Sequence, residues 1–130
     1  MACLETTFLI DLLRGNESVK QLKDELDKNE NTLSVAAPSI MEIWLGAMMS
    51  KKSEEEKSKI NELISSFTIL YLDEKSAKEA GEIEASLLKE NIEIDSEDIM
   101  IAGIAKVNGE KLVTRDRHYA KIPGLRILKY

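Results

Sequence analysis

Cysteine is nearly absent from this 130-residue chain. A single thiol, Cys3, excludes an internal disulfide framework and suits a reducing compartment. It lies in an apolar stretch, where burial is the expected fate and reactivity the alternative. Histidine is as scarce: His118 has no partner at metal-ligand spacing, which argues against zinc and leaves it a surface or loop residue, with substrate contact as the alternative. No Gly-rich phosphate loop and no Ser-centred nucleophile elbow occur, so dinucleotide binding and serine hydrolysis are unsupported. No apolar run approaches the ~20 residues of a membrane span, and no basic-then-apolar leader opens the sequence. The expectation is a cytoplasmic protein without a membrane partner. There is no Gly/Pro/Ser-rich linker and no internal repeat, so one domain over residues 1–130 is expected.

What is present suits a folded domain. Hydrophobic residues make up 43% of the chain and charged residues 32%, well clear of the disordered regime. Eighteen Lys and Arg against 24 Asp and Glu leave a net charge of −6, which argues against nonspecific nucleic-acid binding. The charge is uneven, however. The segment "TRDRHYAKIPGLRILKY" holds Arg115, Arg117, Lys121, Arg126 and Lys129 against Asp116 alone, a basic end able to meet phosphates.

Apolar runs alternate with helical patterns along the chain. "ACLE" reads as a buried strand running into the helix "TTFLIDLLRG", which Gly15 ends. "ESVKQLKDELDKNE" is a helix with Val19, Leu22 and Leu26 on one face. "TLSVAAP" is a strand stopped by Pro38. "SIMEIWLGAMMSK" and "EEEKSKINELISSF" are helices, and "TILYL" is a third strand. "DEKSAKEAGEIEASLLKEN" and the small-residue "EDIMIAGIAKVNG" are helices, with "EKLVT" and "LRILKY" as further strands. Unbroken apolar strands separated by helices predict an α/β fold with a parallel sheet covered on both faces. Trp44, Met41, Met48 and Met49 form an apolar set on one helix, expected to pack in the core or, alternatively, to meet a second subunit or partner helix.

In such sheets ligands sit at the carboxyl ends of the strands. Four acids fall there: Glu5, Glu42, Asp98 and Asp116. Each has a local explanation as well. Ser39 to Glu42 matches a capping box, and Asp98 lies in a first turn capped by Asp95 or Ser96. Asp116 suits a turn, and Glu5 stands just before a threonine cap. Helix capping explains acids at helix starts, but not why four should share one crevice. Carboxylates so gathered repel unless a cation joins them, and oxygen donors without a His or Cys cluster suit Mg²⁺ or Mn²⁺. Asp11, six helical residues beyond Glu5, is expected to face solvent or pair with Arg14.

At these residues the chain resembles the PIN domain family, the fold of VapC-type toxins of prokaryotic toxin–antitoxin pairs. The likeness is carried in order by "LETTFLIDLLRG", "SIMEIWLG", "DIMIAGIAKVNGEKLVTRD" and "PGLRILKY". The family usually has aspartate where Glu5 stands. The resemblance implies a three-layer α/β fold with a central parallel sheet of about four or five strands flanked by helices. It implies a metal-dependent ribonuclease acting on RNA phosphodiester bonds, a homodimer, and a small antitoxin protein as partner. On that reading Glu5, Asp98, Asp116 and Glu42 are catalytic and hold Mg²⁺ or Mn²⁺. Thr6, Thr7 and Thr114 support the carboxylates, and Arg115 and Arg117 contact the substrate backbone. The alternatives are a catalytically silent PIN-like domain that binds RNA or protein, and an unrelated α/β binding domain whose four acids are all caps.

Overall fold

The computed structural model describes residues 1–30 and 32–130. Five short strands, β1 (Ala2–Leu4), β2 (Leu33–Ala36), β3 (Thr68–Leu70), β4 (Lys111–Thr114) and β5 (Ile127–Lys129), form one sheet in the order β3-β2-β1-β4-β5, with every pairing parallel. The helices are α1 (Thr6–Leu13), α2 (Glu17–Asn29), α3 (Ala37–Met48), α4 (Ser53–Ile64), α5 (Glu74–Lys89) and α6 (Ser96–Val107). A 3₁₀ turn, Arg117–Lys121, lies between β4 and β5. The α/β expectation with five strands holds.

Strand residues alternate between two cores, as a pleated sheet covered on both faces requires. Leu4, Val35 and Val113 face one core, which α1 to α4 close with Phe8, Leu26, Ile43 and Ile60. Cys3, Ala36 and Leu112 face the other, closed by α5 and α6 with Ile83, Leu87, Ile101 and Ile104. Cys3 is fully buried as expected, and burial pushes its thiol up to about 12. The small residues of α6 have a purpose: a Cβ on Gly103 would stand 2.9 Å from the Ser76 carbonyl oxygen, so α5 and α6 approach too closely for any larger side chain.

The start of α3 and the end of β3 differ from the sequence expectation. Pro38 does not stop β2 but sits in the first turn of α3, where its missing N–H is one that a helix leaves unpaired anyway. Helix α3 therefore starts at Ala37, and Ser39 is no N-cap. Tyr71 and Leu72 lie beyond the end of β3 with their side chains exposed. The 3₁₀ turn was not foreseen; it buries Tyr119 completely. On α3, Trp44 packs partly into the core, but Met41, Met48 and Met49 are 58%, 53% and 80% exposed, so core packing does not describe the methionines.

Chain order places the functional crevice. The chain runs outward from β1 to β3, then returns to place β4 on the opposite side of β1. The reversal lies between β1 and β4, where open parallel sheets leave a gap at their carboxyl edge.

Candidate active site

Glu5 is the first residue beyond β1, and its backbone N–H donates to the Val113 carbonyl of β4 at 3.1 Å. It is itself the N-cap of α1 rather than the neighbour of a threonine cap. Its Oε2 accepts from the Thr7 N–H at 3.0 Å, and its Oε1 accepts from the Thr7 hydroxyl at 2.8 Å and from the Thr114 hydroxyl. The side chain is almost wholly buried. Glutamate is not among the favoured N-cap residues. Here its extra methylene lets one carboxylate cap the helix and bridge to β4 together. Glu5 is thus both cap and member of the acid group.

The other three acids arrive from separate elements. Glu42 lies in the second turn of α3, not the first, because the helix begins at Ala37. Nor does it complete a capping box: the Thr6 hydroxyl is shared between Ser39 Oγ at 3.0 Å and Glu42 Oε1 at 3.1 Å. Asp98, in the first turn of α6, accepts from the buried Tyr119 hydroxyl at 3.0 Å. Asp95 takes the N-cap position of α6 without a side-chain bond to the helix. Asp116 caps the 3₁₀ turn, accepting from the His118 N–H at 2.9 Å, and its own N–H donates to Thr114 Oγ1 at 3.0 Å. His118 is exposed on that turn with Nδ1 3.0 Å from Asp116.

These carboxylates act on one another. Burial raises the Asp98 carboxyl above its ordinary range, and the charges of Asp116, Glu5 and Asp95 push the same way against the Tyr119 hydrogen bond. Glu42 is raised likewise, by burial and then by Asp98, Glu5 and Glu97, against the bond from Thr6. The Tyr119 hydroxyl is held far above the ordinary phenol range by burial and by Glu5, Asp98 and Glu42. One crevice therefore carries a shared negative field, to which Glu97 and Asp95 also contribute. The donor chemistry is all oxygen and fits a hard divalent cation. The side chains are not drawn into a ligand sphere, however: among the described residues no three His, Cys, Asp or Glu side chains form a group set to hold an ion. Each carboxylate instead leans on a hydroxyl or an N–H.

Sequence reasoning missed three contributors. Tyr119 gave no signal because a buried hydroxyl reads as any core residue, and Ser39, expected as a helix cap, instead accepts from the Thr6 hydroxyl. Asp11 overturns its expectation: it is buried, not solvent-facing, and its partner is Arg115, whose Nε lies 2.9 Å from Oδ2, with Nη2 3.4 Å from Oδ1. The Tyr130 hydroxyl donates to the same Oδ2 at 2.8 Å. Arg115, though half exposed, is thus held by Asp11, and Arg117 is exposed beside Asp116.

The comparisons with known proteins agree with this architecture. The chain is 28% identical over 109 residues, 83% of each chain, to the tRNA(fMet)-specific endonuclease VapC of Salmonella typhimurium strain LT2. It is 29% identical over 124 residues to ribonuclease VapC2 of Haemophilus influenzae Rd, covering 95% of this chain and 92% of the relative. Among solved structures, DNA-bound VapBC from Salmonella typhimurium superposes with a TM-score of 0.90 at 27% identity, covering 99% of this chain and 98% of the other. VapBC2 from Rickettsia felis, bound to a promoter DNA fragment, has the same fold, with a TM-score of 0.93 at 24% identity over 99% and 98% of the chains. The PIN domain model matches residues 2–125, which include β1 to β4 and all four acids, and the chain belongs to the PIN domain family.

Proposed function

We propose that this protein is an endoribonuclease of the VapC type, the toxin of a toxin–antitoxin pair, and that it cleaves RNA at the crevice between β1 and β4 with a divalent cation. The observation that carries the reading is the meeting of Glu5, Glu42, Asp98 and Asp116 at the carboxyl edge of a PIN fold, where burial and then the neighbouring acids raise the carboxyls of Asp98 and Glu42. Relatives spanning most of the chain are named as VapC nucleases, and solved neighbours are VapBC complexes, which supports both the activity and an antitoxin partner.

Glu5, Asp98 and Asp116 would hold Mg²⁺ or Mn²⁺, with Glu42 on a second ion or on the attacking water. A bound cation neutralises the phosphate and lowers the pKa of its water. The chain's own residues set the geometry. Thr7 and Thr114 fix the Glu5 carboxylate, Thr6 steadies Glu42, and Tyr119 fixes one oxygen of Asp98 while leaving the other open. Arg117, exposed next to Asp116, supplies a phosphate contact, and the basic C-terminal segment offsets the acidic body where RNA approaches. The exposed Met41, Leu45 and Met48 on α3, with Met49 just past its end, give an apolar face for the antitoxin or a second copy of the chain.

Two observations favour a second reading, a silent PIN domain that binds RNA or protein: Glu5 is committed to three donors, and among the described residues no three acids close into a ligand group. The test is incubation with a mixed panel of structured RNAs and single-stranded DNA in Mg²⁺, Mn²⁺ or EDTA. Cutting of RNA with metal and none in EDTA is expected. RNA retention without cleavage in any lane would favour the silent module.

A further inference from the structure

On the side of α1 away from Glu42, three residues far apart in sequence close a small polar knot. The Asp11 carboxylate takes Arg115 Nε at 2.9 Å and Nη2 at 3.4 Å, a two-pronged pairing that fixes the plane of both groups. Tyr130, just past β5, packs its ring edge-on against Phe8, with centroids 5.1 Å apart and planes at 88°, and gives its hydroxyl proton to Asp11 at 2.8 Å. The same hydroxyl lies 3.4 Å from Thr7 Oγ1. Arg115 itself stands between Thr114 and Asp116, and its backbone N–H points at Thr7 Oγ1, also at 3.4 Å.

The bonds run from this knot into the site. Thr7 has one hydroxyl proton and spends it on Glu5 Oε1, so its oxygen faces the Arg115 amide as an acceptor, while the Tyr130 hydroxyl, whose proton is on Asp11, packs beside it. Thr114 spends its proton on the same Glu5 oxygen and accepts from the Asp116 amide. Fixing Arg115 therefore fixes the link between Thr114 and Asp116, and with it two of the four acids. Asp11 is buried, and its charge is answered by Arg115 rather than added to the crevice. A bidentate carboxylate–guanidinium pair backed by a tyrosine is more than surface decoration requires.

We propose that Asp11, Arg115 and Tyr130 form a positioning clamp that locks α1, the exit of β4 and the chain after β5 together, so that Glu5 and Asp116 are presented to the cation and RNA at fixed separation. The clamp rests on the nuclease reading for its purpose but not for its existence. Its members are positioning residues, and Arg115, half exposed, acts through Asp11 and its own backbone.

The test uses the full chain with Tyr130→Phe, which keeps the contact with Phe8, and Asp11→Asn, which keeps the shape of the carboxylate. The first readout is amide hydrogen exchange in the metal-free protein at Thr7 and Asp116, whose N–H groups bond to Glu5 and Thr114. Both should exchange about tenfold faster in either variant, while the buried α6 amides keep the wild-type rate. The second readout is cleavage kinetics, where kcat should fall about tenfold with KM for RNA unchanged, as misplacement of reacting groups does. Unchanged exchange at Thr7 and Asp116, or equal acceleration at every amide, overturns the clamp. So does a rise in KM with kcat intact, which would make Arg115 a substrate contact. If wild type cuts no RNA, the nuclease reading fails while the exchange measurement still decides the clamp.

Discussion

At the scale of single residues, burial and mutual repulsion make opposite demands on the same side chains. Asp98 is raised by burial and by its acidic neighbours, so in the metal-free protein its charge works against folding at neutral pH. Asp98→Asn retains an oxygen for the Tyr119 hydroxyl and removes the charge. Its melting temperature in EDTA should equal or exceed that of wild type. A clear loss of stability would mean that Asp98 is a structural acid. Glu110 makes the same point far from the site. It is buried where β4 begins, its Oε2 has no hydrogen-bond partner among the described residues, and burial raises its carboxyl above 4.5. Because the folded state holds the proton more tightly, this group makes stability fall as pH rises from about 4.5 through its raised folded value. Above that window the penalty is constant. Urea unfolding across pH 4 to 8 should show this slope in wild type and a flatter one in Glu110→Gln, which should be about 1 kcal/mol more stable at neutral pH.

At the scale of elements, the sequence spoke clearly where one local rule dominated. The apolar strands, the helix after β1 and the small-residue helix were legible because burial on a covered parallel sheet demands those patterns. The start of α3 was not, because proline is both a strand terminator and a first-turn helix residue, and only packing decides between them. All four acids are at the carboxyl edge, yet their bonding was hidden: Glu5 could be seen as near a cap, but not that its own carboxylate spans from Thr7 to Thr114. Asp11 shows the limit most plainly. Helical spacing alone turned it away from Glu5, while its partners, Arg115 and Tyr130, stand more than a hundred residues along the chain. The α5–α6 pair also carries a prediction. Gly103→Ala would set a methyl group 2.9 Å from a backbone oxygen that cannot give way. It should destabilise the protein by roughly 1–3 kcal/mol in chemical denaturation and, by shifting the helix that bears Asp98, depress cleavage as well.

At the scale of the molecule, an acidic chain with a basic end closes a parallel sheet so that four carboxylates converge where β1 and β4 part. The fold tolerates that convergence through hydroxyls and N–H groups, and a divalent cation would relieve it further. Mn²⁺ at a hundred times its dissociation constant should therefore stabilise the native state by about 2.7 kcal/mol, read as a rise in melting temperature that Asp98→Asn abolishes. The most direct trial of the whole account is single-turnover cleavage of one susceptible RNA in Mn²⁺ by wild type, Asp98→Asn and Glu5→Asp side by side. The account predicts cleavage by wild type, loss of at least about a hundredfold in Asp98→Asn, and retained or higher activity in Glu5→Asp. Cleavage by Asp98→Asn at the wild-type rate would contradict it, because the acids would then be caps and the nuclease centre would lie elsewhere.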